Sequence, residues 1–276
     1  MIQPIPHKNV SSIIKQYDTD GHSPYLVLTD ELEQYVLKTF KNTHDRPSLV
    51  KEFLCASLLN FWNINTPPVS TLSLSPELLD SPFVVNNNRF SHSSVYFGSE
   101  LMINSIDLQL FITAKGKVPI RKILNPSILL DIALFDIWIE NDDRKPLNNN
   151  LLLCPNNKGL LITPIDHALT FASLQFNQLN PEFVSFSDND SIVFSSLGLT
   201  VTRQMKINAK WLAHAKEKFY ICTSLIEESF QQICDNLPIE FRLKDEEKDN
   251  LHGFLINKER NRNVFDLFSY IVSSIK

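Results

Sequence analysis

Asp143 is followed five residues later by Asn148 and, beyond two short apolar runs, by Asp166. Phosphoryl transfer uses this set of groups. It needs a carboxylate near the attacking hydroxyl, and an oxygen ligand with a second carboxylate to hold magnesium against a triphosphate; catalysis is then mainly positional and electrostatic. The apolar runs, residues 151–153 and 160–165, are joined by Pro155-Asn156-Asn157-Lys158-Gly159. That turn-rich insert predicts a β-hairpin, which would return Asp166 to the neighbourhood of Asp143 and Asn148. Turn propensity alone also accounts for Asn and Asp crowding residues 141–150, so the pattern has to be weighed with the elements around it.

Upstream, residues 10–14, 25–28 and 35–40 are short apolar runs separated by turn signals, the pattern of antiparallel strands joined by hairpins. Lys38 falls on the third run, where a lysine is usually a solvated or edge residue. Residues 47–61 follow with helical spacing, Ser48 as N-cap and Glu52 in the first turns. A glutamate there is favourable to the helix dipole in any protein, but in kinases a strand lysine pairs with a helix glutamate to hold nucleotide phosphates. Further strands are expected at 69–74 and 82–85, and another at 95–102, whose Gly98-Ser99-Glu100 is placed as a hinge with Glu100 beside the nucleotide. Residues 127–141 are nearly all apolar, broken by Asp131, Asp136 and Glu140, and predict a buried helix that delivers Asp143 to its loop. Residues 168–200, rich in Ser, Asn and Phe, predict an exposed loop. Helices are then expected at 210–224, 224–236, 244–256 and 263–275.

Composition narrows the classes. With 276 residues, 43% hydrophobic and 21% charged, the chain can bury a full core. No apolar run is long enough to span a bilayer, and the first residues lack a signal-peptide pattern. A net charge of −5 argues against general affinity for nucleic acid or anionic membranes. Cys55, Cys154, Cys222 and Cys234 have no zinc-site spacing and read as reduced thiols of a cytoplasmic protein. Six glycines exclude a long glycine-rich phosphate loop, and neither dinucleotide nor Walker-type motifs occur.

Taken in order, residues 36–40, 49–53, 134–153 (with Asp143-Arg144 and Asn148) and Ile165-Asp166-His167-Ala168 resemble the HipA-like kinase domain, over roughly residues 10–170. The resemblance implies an α+β, bilobal fold related to protein kinases, in one domain spanning 1–276. It implies a small antiparallel β-rich N-lobe at 1–100 and a mainly helical C-lobe at 101–276, with a catalytic loop at 141–167 and a helical tail at 205–276. It implies ATP and Mg2+ as cofactors, Asp143 as the carboxylate that takes the acceptor's proton, Asn148 and Asp166 as metal ligands, Lys38 on the phosphates and Glu52 orienting it. The Gly21-His22-Ser23-Pro24 turn would cover the phosphates. Asn141 and Arg144 would organise the loop, Arg144 being otherwise a surface charge. His167-Ala168 replaces the Phe-Gly of conventional protein kinases after the metal-binding Asp. The expected activity is that of a Ser/Thr protein kinase, a toxin component with an antitoxin partner being one form of it. A small-molecule or lipid kinase of the same fold, or an inactive binding module, stand as alternatives; neither nucleic acid nor membrane is expected as a direct partner.

Overall fold

β-Branched and aromatic residues alternating with turn formers build the first strands, β1 (His7–Gln16), β2 (Tyr25–Thr29) and β3 (Gln34–Lys38). The computed structural model describes residues 3–17, 24–40, 45–84, 90, 93–116, 120–205 and 207–275. β1, β2 and β3 pair as antiparallel neighbours, and β5 (Val95–Glu100) joins β3 and β4 (Val69–Ser73), both antiparallel. β4 then runs parallel to β1, His7–Asn9 facing Thr71–Ser73, and closes the five strands into a barrel. The sequence reading expected antiparallel pairs throughout. The parallel seam follows from closure, because the first strand must meet the strand that arrives after the intervening helix. Closure removes the sheet edges: β3 lies between β2 and β5, and Lys38 at its end pairs with Phe97 of β5.

The helix α1 (Arg46–Phe61) buries Leu49, Val50, Phe53, Leu54 and Leu58. It begins two residues before the expected N-cap: Ser48 instead donates its hydroxyl to Asp45 at 2.8 Å. Phe53 meets Phe97 of β5 edge-on at 4.8 Å and Phe241 at 5.1 Å. At Gly98 any Cβ would come within 2.5 Å of the Leu72 side chain, so β5 requires glycine there for the barrel to close on β4.

By contact density the chain forms two compact units, one comprising Met1–Ser57, Pro67–Met102 and Gln232–Arg242, the other Leu58–Thr66, Ile103–Gln231 and Leu243–Lys276. Neither unit is one continuous stretch.

In the second unit a small antiparallel sheet is made of β6 (Ile106–Asp107), β7 (Leu151–Asn156) and β8 (Gly159–Pro164), β7 and β8 being the hairpin expected from the Pro155–Gly159 turn. A helix that the sequence reading missed, α2 (Leu108–Lys115), starts on an Asp107 side-chain cap and ends at left-handed Gly116. α3 (Ile128–Trp138) is buried from Leu129 to Trp138 except at Asp131, and packs Phe135 and Trp138 on Trp62 at 5.4 and 5.7 Å. It stops three residues short of the expected end because Glu140 turns left-handed, with φ 47°. α4 (Ser196–Gln204), capped by Ser195, interrupts the segment expected as loop. α5 (Ala209–Asp235) is one helix of 27 residues where two were expected, Thr223-Ser224 being too weak a break. α6 (Asp245–Ile256) and α7 (Lys258–Ser274) complete the unit. Residues 82–84, expected as strand, form turn, and Val85 lies outside the described residues.

Candidate functional site

The loop after α3 is built by side chains that replace missing backbone partners. Asn141 accepts the backbone N–H groups of Asp143 and Arg144 on its Oδ1, at 3.1 and 3.2 Å, and donates its Nδ2 to Asp136 at 3.1 Å. An asparagine turn of this kind fixes the direction in which Asp143 leaves the helix. Lys145 and Asn148 then exchange backbone hydrogen bonds of 2.9 and 3.1 Å around Pro146-Leu147. That tight turn is why the five-residue spacing works, since it brings Asn148 back onto Asp143. Asn148 Nδ2 donates to Asp143 Oδ1 at 2.8 Å and Asn150 Nδ2 to Asp143 Oδ2 at 2.6 Å. An ionised carboxylate only accepts, so both amides must turn their NH2 groups inward. The Oδ1 of Asn148 therefore points away from Asp143, on a residue that is exposed.

Beyond the hairpin the ladder continues one step, Ile165 N–H to Asn150 O at 3.0 Å, and Asp166 follows in the left-handed region with φ 60°. The half-buried Asp166 is thus delivered beside the Asp143 loop. Arg144 locks the two strands of chain together. Fully buried, it pairs with Asp136 and donates Nη2 to Ile165 O at 2.8 Å and to His167 Nε2 at 3.1 Å, gripping the residues on both sides of Asp166. Guanidinium has no acceptor, so His167 Nε2 accepts and the ring is neutral with its proton on Nδ1. The reading of Arg144 as a surface charge is thereby overturned. Burial pushes the Asp136 carboxyl up to about 6 against the opposing pull of Arg144 and Asn141, so at neutral pH it faces Arg144 as a carboxylate. Asp136 was missed as a site residue; its signal was an acid in the middle of an apolar helix stretch, which needs a partner when buried.

Asp142, the neighbour of Asp143, is exposed; it accepts from Ser173 Oγ at 2.8 Å and its N–H binds Leu169 O at 3.0 Å. Its carboxylate serves the segment after Asp166. In that segment Phe171, Ala172 and Ser173 all adopt left-handed φ, 56°, 51° and 56°. They are held there by Phe171 N–H on Ile139 O at 2.6 Å, by Ala172 N–H on Glu140 O at 3.0 Å, and by Phe171 packed on Phe176 and Phe254. A left-handed non-glycine residue costs about 1–2 kcal/mol, more than the roughly 0.5–1 kcal/mol that glycine costs elsewhere. Ala172→Gly is therefore expected to raise the denaturation midpoint or leave it unchanged, whereas Ala56→Gly inside α1 lowers it. A midpoint that falls equally in both variants would contradict the strain at Ala172.

In the first unit, Lys38 at the end of β3 and Glu52 of α1 form a buried ion pair, their side chains 10% and 4% exposed. Such a pair is a poor source of stability, because desolvation costs several kcal/mol per ion and apolar replacements are often neutral or better. Gly21, His22 and Ser23 lie outside the described residues; the segment they occupy is flanked by a hydrogen bond of 2.8 Å from Tyr17 N–H to Pro24 O. Glu100 ends β5, exposed, with its N–H on Pro68 O at 2.8 Å.

Among the described residues, no group of three or more His, Cys, Asp and Glu side chains could hold a metal by itself. Magnesium in nucleotide sites is held by one or two carboxylates together with substrate phosphates, and an outward amide oxygen at Asn148 with a carboxylate at Asp166 are hard donors of that kind. No helix among the described residues is long and apolar enough to cross a membrane.

Among solved structures, the Helicobacter pylori proinflammatory kinase CtkA shares the fold, with a TM-score of 0.56 at 14% identity, over 99% of this chain and 100% of that one. Two structures of the Golgi casein kinase, the second with Mn and ADP bound, give TM-scores of 0.43 and 0.44 at 13% and 12% identity. They are covered over 73% and 74% of their chains, and this chain over 99% and 100%. No curated protein matches. The sequence matches the HipA-like kinase family from residue 10 to residue 263, and the chain belongs to that family.

Proposed function

We propose that the protein transfers the γ-phosphoryl group of ATP to a hydroxyl, acting with Mg2+ as a Ser/Thr protein kinase. The observation that carries this reading is the carboxylate of Asp143, half-buried and held by an amide on each oxygen. Each oxygen keeps a lone-pair site for an incoming O–H. In this reading the acceptor hydroxyl donates its proton to Asp143 as its oxygen bonds to the γ-phosphorus. The bond to the β–γ bridging oxygen breaks, and ADP leaves. Asn148 and Asp166 would hold Mg2+, which neutralises charge on the phosphates. Lys38, oriented by Glu52, would bind the phosphates from a β-rich N-lobe at 1–100, the catalytic loop belonging to a C-lobe at 101–276. The residues 21–23 and Glu100 complete the proposed nucleotide contacts. The part of a toxin with an antitoxin partner, and a cytoplasmic location, rest on the family resemblance and on four cysteines that form no disulfide.

Two measurements test the reading. Calorimetry should show ATP binding that strengthens with magnesium. Incubation with labelled ATP and magnesium, followed by mass spectrometry of the protein, should find phosphate on a Ser or Thr. No binding at millimolar nucleotide would remove the kinase reading, since enzymes bind substrates in roughly the micromolar to millimolar range.

A further inference from the structure

The geometry points to Asn150 as a positioning residue for phosphoryl transfer, one that sets the plane of the Asp143 carboxylate and ties it to the Asp166 segment. The inference rests on the phosphotransferase reading above and adds to it a residue outside the Asp143, Asn148 and Asp166 set. A carboxylate held at one oxygen still turns about its terminal torsion, which is broad and roughly two-fold. Asn148 holds Oδ1, and only with Asn150 on Oδ2 at 2.6 Å is rotation blocked. The backbone of the same residue accepts Ile165 N–H at 3.0 Å, one residue before Asp166. Asn150 is thus joined to the proposed proton acceptor through its side chain and to the proposed metal-ligand segment through its carbonyl.

The backbone makes asparagine a specific choice. Asn150 has φ 44°, a left-handed conformation that asparagine tolerates better than other side chains bearing an NH2 donor. The residues on either side of Asn149 point to Asp143, while buried Asn149 donates its own amide to Gln109. Three consecutive asparagines therefore divide into two that face the carboxylate and one that anchors the loop to α2.

Glycine at this position keeps the backbone and deletes the amide, so Asn150→Gly is the direct test. Its kcat should fall between about tenfold and a hundredfold, the usual penalty for loosening a positioned group. The Kd for ATP with magnesium should stay within about threefold of wild type, because the Asn150 amide acts on Asp143, the proposed proton acceptor, whose role lies in the transition state rather than in ground-state binding. In an Asp143→Asn background the same substitution should cost almost nothing more, since groups acting as a unit are not additive. Asn150→Asp, which keeps the shape but sets a second carboxylate against Asp143, should lose at least as much kcat and guards against a glycine variant that folds poorly. A wild-type kcat in both variants, a loss that follows a fallen denaturation midpoint, or an equal loss with and without Asp143 would each overturn the positioning role. A wild-type protein that binds no ATP and transfers no phosphate overturns the reading beneath it, and this inference with it.

Discussion

Asp143→Asn should lower kcat by about 10²–10⁴, the range that general acid–base groups contribute, and leave ATP affinity within a few-fold of wild type. The substituted amide cannot take the acceptor's proton. It also meets two donors, Asn148 Nδ2 at one oxygen position and Asn150 Nδ2 at the other, so whichever way it turns an NH2 faces an NH2. Losing a group that acts mainly in the transition state reduces turnover without reducing ground-state binding. Asp166→Asn should reduce both, because a proposed metal ligand also attracts the triphosphate before reaction. Asp142→Asn is the control: its carboxylate binds Ser173 and not the Asp143 cluster, and the variant should stay active. Titration calorimetry together with transfer rates for the three variants decides the matter. An Asp143→Asn protein with near-normal transfer would show that the proton goes elsewhere.

How much of this was legible in the sequence depended on how local the determining physics is. The β7–β8 hairpin is set by a Pro-Asn-Asn-Lys-Gly turn between two apolar runs, and local turn chemistry is readable. The buried helix α3 was equally plain, from an apolar run too long for a strand. Barrel closure was not, because whether Lys38 lies on an edge depends on β5, which arrives nearly sixty residues later. The Asn148-Asn149-Asn150 run was ambiguous for a different reason. Turn preference and amide donation select the same residue type, and only the fold shows which amide faces which carboxylate. Arg144 posed the same problem in charge form: surface and core arginines look alike in sequence, and its partner Asp136 sits on the preceding helix. The three left-handed residues after Asp166 contain no glycine and left no local signal, since tertiary contacts with Ile139 and Glu140 impose their conformation.

The loop's foundation lies far along the chain, in α7, and its removal should produce the largest loss of stability. Arg260 is fully buried; it donates Nη2 to Trp138 O at 2.9 Å and to Glu140 Oε1 at 2.8 Å, and Nη1 to Phe254 O at 3.3 Å, with its guanidinium 3.5 Å above the Phe254 ring. Burial pulls this guanidinium below its usual range while Glu140 pulls it back. Arg260→Met fills similar space but leaves Glu140, 2% exposed, with the Ser185 hydroxyl and no cation. Breaking a buried pair from one side costs about 3–5 kcal/mol, a large share of the roughly 5–15 kcal/mol that holds a domain together. Glu140→Gln combined with Arg260→Met removes the stranded charge, and the double variant should be more stable than the sum of the single changes by about 0.5–3 kcal/mol. Arg260→Lys should not rescue the loss, because one ammonium cannot reproduce a planar fork directed at Trp138, Glu140 and Phe254 together. Urea unfolding midpoints of the wild type and the four variants measure this directly. If Arg260→Met costs less than about 1 kcal/mol, water reaches Glu140 and the pair does not anchor the base of the Asp143 loop.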